Sequence, residues 1–429
     1  MTILESQGTA QAKHEQGRPR VAAGFIGLWL AGLGFAWWAV VPALMAARGS
    51  GVSLKASAES KLLVALGIWL LAILGGSVFG GAVAMNRVPG AAYAAIVWIA
   101  AGIMFHVLRR LTPEQNSFFI RSLIFVGSAQ GFLAFAAVMA HPSPLSKFAL
   151  PSNPIIGGSS GVGLWSQANL AYVDYFGGGI VRSAGLMGTA AWSGGFACLI
   201  LILLVVGRRK LIASGMSRFK WIVAATLNFS SLYFAYSRVS LAILIVVLVT
   251  CVTYRACSIL AAGGLLATVT VFTGAVLIFA LLPWQDYVLQ QDALRPGSSD
   301  ARFTSYLEGF DAASQSGPLV LIAGNGAKPF LEELGRGAGS ESTYVSLLVR
   351  GGIIAVMLFV IFLLVRMRGA IKSKDWTAVL LLVALVIHAV VEDLDVGTLT
   401  LLLVLIEPVR TILAPRIPAS GMRQSVSPA

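Results

Sequence analysis

The sequence predicts an all-α polytopic membrane protein, with about eleven transmembrane helices and one large extracytoplasmic loop carrying short helices. Three observations lead there. Only 11% of the 429 residues are charged, against roughly 25% in a soluble domain. The chain is 57% hydrophobic, with a mean hydropathy of +0.83. Its apolar runs reach the roughly 20 residues needed to cross about 30 Å of hydrocarbon.

Inside lipid every backbone donor and acceptor must be satisfied within the segment, so each apolar run becomes a helix. The runs fall near 21–46, 62–84, 91–108, 118–140, 186–206, 219–236, 239–257, 259–282, 344–365, 377–391 and 397–413. Residues 1–20 are polar, lack the short apolar core of a cleaved signal at their start, and read as a disordered tail. Transmembrane helices then occupy 21–140, 186–282 and 344–414. Two long connections, 141–185 and 283–343, separate these groups, and 415–429 form a second tail.

Charge sets the orientation. Arg208, Arg209, Lys210, Arg218 and Lys220 fill one short loop; Arg366, Arg368, Lys372 and Lys374 fill another; Arg109 and Arg110 mark a third. The positive-inside rule assigns all three to the cytoplasm and accounts for the net charge of +13. Both long connections then lie outside, and 415–429 return to the cytoplasm. The N-terminus is a tie: Lys13, Arg18 and Arg20 balance Arg48, Lys55 and Lys61 across the first run. Eleven spans start outside, whereas a further re-entrant or split helix within residues 1–185 starts inside. Cys198, Cys251 and Cys257 lie in or beside apolar runs without metal-ligand spacing. No basic stripe alternates with exposed aromatics, which argues against a nucleic-acid partner.

Arginine on the outer side opposes the charge rule, so each one asks for a reason. Arg182, Arg238 and Arg302 all fall there, and Arg350 lies about two turns into the span after the second loop. Arg302 begins a stretch with amphipathic helical periodicity. A guanidinium is permanently charged and presents a fork of donors that fits phosphate or carboxylate oxygens. The duller reading of each is snorkelling to headgroups or local pairing. Glu341 stands just before a span; a partly apolar setting would make it a usable general base, while a helix-capping carboxylate is the alternative. His388 and Glu392 are four residues apart, which puts them on one face of a helix as a relay or a packing pair. No nucleotide, zinc or serine-hydrolase motif is present, so no cofactor is expected.

These residues resemble a known family. Tyr236-Ser237-Arg238 opening a span resembles the Ser-Arg signature of the O-antigen ligase and polysaccharide polymerase superfamily. Val181-Arg182-Ser183-Ala184-Gly185 resembles its earlier Arg-x-x-Gly element. The second long loop resembles the family's large periplasmic loop: Arg302 on a short helix, Pro318-Leu319, Gly324-x-Gly326, then Gly339-Ser340-Glu341-Ser342-Thr343-Tyr344 before Arg350-Gly351-Gly352. The order fits across roughly 180–410, and residues before 180 match only in being hydrophobic. The ligases carry a His where this chain has Glu341 or Ser342, and that departure favours the repeat-unit polymerase branch.

The resemblance implies a multi-pass protein of the bacterial inner membrane with a periplasmic site. Its substrate would be an undecaprenyl-diphosphate-linked oligosaccharide, and a chain-length regulator and a flippase would be partners beside the membrane lipids. By analogy Arg182, Arg238 and Arg302 hold the diphosphate, Glu341 is the base, and Tyr344 positions the acceptor. Arg350, His388 and Glu392 are further substrate-binding candidates. Two other functions remain open: a ligase of the same fold, and a secondary transporter of an anionic solute.

Overall fold

A computed structural model describes residues 57–109, 113–141, 171–173, 181–187, 189–259, 298–315, 317–328, 330–331, 336–337, 342–373 and 375–394. The runs expected at 21–46 and 397–413, and nearly all of 259–282, lie outside these residues, as do both tails.

The described chain is mostly helical. In order it forms α1 (Ala58–Phe79), α2 (Val88–Leu108), α3 (Pro113–Met139), α4 (Ala190–Val206), α5 (Arg208–Ala213), α6 (Arg218–Ala235), α7 (Arg238–Ile259), α8 (Ser298–Gln315), α9 (Pro318–Ala323), α10 (Thr343–Lys372) and α11 (Trp376–Val391). Two minimal antiparallel ladders accompany them, β1 (Ala171–Val173) with β2 (Val181–Ser183) and β3 (Phe330–Leu331) with β4 (Arg336–Gly337). Four stretches are long and apolar enough to cross a membrane: Ala58–Phe79, Met85–Leu108, Phe119–Met139 and Thr343–Lys372. Ala190–Val206, Arg238–Val252 and Trp376–Val391 are shorter apolar helices.

Packing runs from one helix to the next. α1 pairs with α2, α10 lies against α1 and α11, and α4 touches α6, α7 and α11; α6 in turn packs on α3. Small residues set the closest approaches, as expected where lipid removes any hydrophobic drive between helices. On α3, Gly127-x-x-x-Gly131 faces α6; a Cβ at Gly131 would sit on the Leu227 carbonyl. On α1 and α2, Gly67 and Gly102 play the same part, and Ser60 donates to the Gly102 carbonyl at 2.6 Å. Aromatic edges fill the seam between α2 and α10: Trp98 meets Phe359 at 5.4 Å and Phe105 meets Phe362 at 5.6 Å, both T-shaped. The outward faces carry large exposed apolar residues such as Phe125, Phe132, Ile361 and Leu364. In water such a surface would aggregate; in hydrocarbon it is the wetted surface.

The bundle has a basic end. There Arg109 pairs with Glu59, the Arg208 guanidinium lies 4.7 Å over the Trp221 ring, and Arg121 donates to the Ser214 carbonyl. Burial lowers the Lys210 pKa, and the nearby Asp375 carboxylate pulls it back up. The three basic connections expected to share a side thus share one end of the molecule. One detail differs from expectation. Arg366, Arg368 and Lys372 are not in a loop, because α10 continues to Lys372. Arg366 is fully buried, with its guanidinium 5.9 Å from the Phe105 ring.

α10 is not the uninterrupted span expected at 344–365. It breaks at Gly352, whose φ of 66° and ψ of −168° belong to a region essentially restricted to glycine. The break frees backbone carbonyls that the helix would otherwise use, and a distant segment takes them. Asn325 N–H donates to Val349 O at 2.8 Å and Gly326 N–H to Arg350 O at 2.9 Å. The Trp69 indole donates to Gly351 O at 2.8 Å. Gly324-Asn325-Gly326 is therefore a docking loop that caps a half-helix.

Candidate functional site

The end opposite the basic loops gathers most of the residues nominated above. Arg182 sits on β2, a strand laid against α3 and α6. It is only 7% exposed, and its Nε donates to the Ala235 carbonyl at 2.9 Å. Ala235 is the last residue of α6, where carbonyls lack intrahelical partners, so a cation there is favoured by both hydrogen bonding and the helix dipole. Three residues later Arg238 opens α7, half-buried. The turn between them carries Tyr236 at φ 48°, the one non-glycine with positive φ among the described residues. Such a conformation costs roughly 1–2 kcal/mol for an L-residue. Burial pushes the Tyr236 phenol above its ordinary pKa, with Tyr233 adding to the shift.

A chain of side chains continues from this turn into the bundle. Ser237 and Ser240 hydroxyls are 2.7 Å apart, and Ser240 lies 3.3 Å from His388 Nε2 on α11. His388 is 2% exposed. α4 makes room for these groups with two glycines: a Cβ at Gly194 would press on Ser237, and one at Gly195 would reach His388 Cε1 at 3.1 Å.

A second buried network lies beside it. Gln130 donates to the Ala184 carbonyl at 3.2 Å and to Ser193 Oγ at 2.7 Å, and its carbonyl accepts from Leu186 N–H. Ser193 in turn meets Ser231 at 3.1 Å. One amide side chain thus holds Ala184 and the 3₁₀ turn at Gly185–Met187, which follow Arg182-Ser183, against α4 and α6. Replacing Gln130 by Leu should destabilise the protein by about 1–3 kcal/mol per buried group left unpaired. Thermal unfolding in detergent measures this, with the outward Phe132→Leu as the neutral control.

The remaining nominees fall as follows. Glu392 is the residue that ends α11: its N–H still donates to the His388 carbonyl at 2.8 Å, one helical turn back, while its own φ of −140° and ψ of 141° turn the chain into extended backbone. Its carbonyl accepts from Thr343 N–H at 3.2 Å and Thr343 Oγ1 at 2.8 Å, joining the end of α11 to the start of α10. Tyr344 is half-buried, its ring 5.6 Å from Phe359. Arg350 is 3% exposed and donates to the Ala91 carbonyl at 3.0 Å, a strut between the half-helix and α2. Arg302 lies in the first turns of α8. Glu341 lies outside the described residues. Arg182, the Tyr236-Ser237-Arg238 turn, Ser240 and His388 therefore form one continuous band that reaches the α10 start through Glu392. Arg350 stands apart from it.

Sequence reasoning overlooked Gln130, Ser193, Ser231 and Ser240. Gln130 carried a signal, being an amide within an apolar run and within Gly127-x-x-x-Gly131. The serines carried none, since a lone hydroxyl in a membrane helix is ordinarily satisfied by its own backbone. Among the described residues no group of three or more His, Cys, Asp or Glu could hold a metal ion. No protein-family model matches the chain, and no curated protein matches it.

Proposed function

We propose that the chain is a membrane polysaccharide polymerase that moves glycan from an undecaprenyl-diphosphate-linked donor to an acceptor sugar hydroxyl on the periplasmic side of the inner membrane. The observation that carries this reading is the pair Arg182 and Arg238. The first is anchored on Ala235 O, three residues from the second, at the end opposite the basic loops. Permanent cations gathered at that end suit an anionic diphosphate.

In this mechanism the acceptor oxygen bonds to the anomeric carbon as the bond from that carbon to the diphosphate oxygen breaks. The acceptor proton passes to a base, and the diphosphate departs carrying the electron pair. Arginines held in place before reaction stabilise the charge that develops on the leaving group. Glu341 serves as the base in this reading, and Arg302 on α8 joins the diphosphate clamp. The substrate's own diphosphate supplies the driving force.

The test is purified protein in lipid nanodiscs given a lipid-diphosphate-linked repeat unit. A ladder of products supports polymerisation; a single addition to a different acceptor identifies a ligase. Arg302→Ala should abolish the ladder while the protein still inserts and folds, and a wild-type ladder from this variant overturns its role. A transporter is favoured by one observation, the broken α10, because discontinuous helices form ion and substrate sites in transporters. Against it, the carbonyls at the break already accept from Asn325, Gly326 and Trp69. Uptake of an anionic solute into proteoliposomes, with no glycan transfer, would establish the transporter.

A further inference from the structure

α8 has three distinct sides. Ser305, Gly309 and Ala313 are buried against the bundle. Thr304, Glu308 and Asp311 form an exposed polar side. Between these lies an exposed apolar stripe at helical spacing: Phe303 at 64%, Leu307 at 49% and Phe310 at 53% exposure. α9 extends the pattern with Leu319, 80% exposed, and Ile322.

This stripe does not stand alone. The Ile322 carbonyl abuts Gly352, which precedes Ile353 on α10, and both isoleucines are exposed. On the other side, the Tyr306 hydroxyl donates to the carbonyl of Val390, itself exposed, at 3.3 Å. The exposed apolar stripe of α8 and α9 thus adjoins α10 and α11, whose Ile353 and Val390 are also exposed and apolar. A helix with one side on protein, one apolar and one acidic has the pattern of a helix lying in a membrane interface.

We infer that α8 and α9 lie in the bilayer interface, with the Phe303, Leu307 and Phe310 stripe seated among the phospholipid acyl chains of that leaflet. The long loop is then partly a membrane-embedded element, not a wholly aqueous lid. The occupant is surrounding lipid, as the adjoining exposed apolar residues of α10 and α11 require. The inference rests on the membrane character of the helices alone and stands whichever chemistry the neighbouring site performs.

The test uses the full chain in phospholipid nanodiscs, with Cys198, Cys251 and Cys257 replaced by Ala and single nitroxide labels placed in turn at 303, 307, 310, 304, 308 and 311. Collision with oxygen should exceed collision with a water-soluble nickel chelate several-fold more at the stripe positions than at the polar ones. Equal nickel access at all six overturns the inference. Shielding of the stripe from both reagents also overturns it, in favour of a protein partner or a second copy. The unmodified chain gives a second measurement that needs no cysteine replacement. A bilayer-dissolved carbene reagent should label the peptide spanning 303–310. Labelling of the Met357 and Ile361 peptide without it would overturn the inference.

Discussion

Arg238→Ala is expected to lower glycan transfer by roughly 10²–10³-fold, the usual loss when one preorganised donor to a developing oxyanion is removed. Arg238 is half-buried at the first turn of α7, next to a turn held in a strained conformation by Tyr236. Strain of this kind persists only where the surroundings over-determine it, and it fixes the direction in which the following side chain leaves the backbone. Arg238→Lys should recover only part of the rate, because an ammonium keeps the charge but loses the forked donor geometry. The same variants should bind the lipid diphosphate more weakly, in proportion to that part of the interaction already present in the ground state. Thermal unfolding should move little, since the residue is not deeply buried. A variant that folds and keeps the wild-type rate would remove Arg238 from the site and with it the diphosphate reading.

Gly352→Ala should be the most destabilising of single-methyl changes on α10. The backbone there sits at φ 66° and ψ −168°, and an added Cβ would fall on the Ile322 carbonyl. A non-glycine held in this region costs about 1–3 kcal/mol before any overlap is counted. Overpacking adds a further ~1–3 kcal/mol. Gly369→Ala on the same helix is the control, since nothing lies within 4 Å of its added methyl. In an ordinary helical position Ala is favoured over Gly by roughly 1 kcal/mol. The two variants should therefore shift the thermal midpoint in opposite directions. Similar midpoints would mean that the break relaxes into a regular helix. The contacts of Asn325 and Gly326 with α10 should then be lost, which hydrogen exchange at those two amides would reveal.

The helices were legible for a simple reason. Hydrocarbon demands internal hydrogen bonding from any run that enters it, so length and hydropathy suffice. The run expected at 219–236 became Arg218–Ala235, that at 377–391 became Trp376–Val391, and that at 91–108 became Val88–Leu108. Charge alone also grouped the connections around Arg109, Arg208 and Lys372, which the fold brings to one end. Arg182 and Arg238 could be nominated one at a time, because a cation on the wrong side of the charge pattern is conspicuous in a sequence.

Their neighbours could not be read in that way. Arg182 reaches Ala235 across 53 residues, and Ser240 reaches His388 across 148. The break in α10 is the clearest case. Gly351-Gly352 is visible in the sequence, but a glycine pair in an apolar run fits an unbroken helix equally well. What decides between them is whether donors exist to take the released carbonyls. Those donors are Asn325, Gly326 and Trp69, the last 282 residues from its acceptor. The end of α11 has the same origin. Glu392 N–H still bonds the His388 carbonyl, as helical periodicity expects, but its own carbonyl is engaged by Thr343 and the chain leaves the helix there. Among the described residues the sequence by itself determined where the long apolar helices form and which ends are basic, since both follow from local composition and a uniform solvent. Where a helix stops or breaks, and which polar groups meet, only the tertiary structure decided. Each of those outcomes turns on a hydrogen-bond partner supplied from a remote part of the chain.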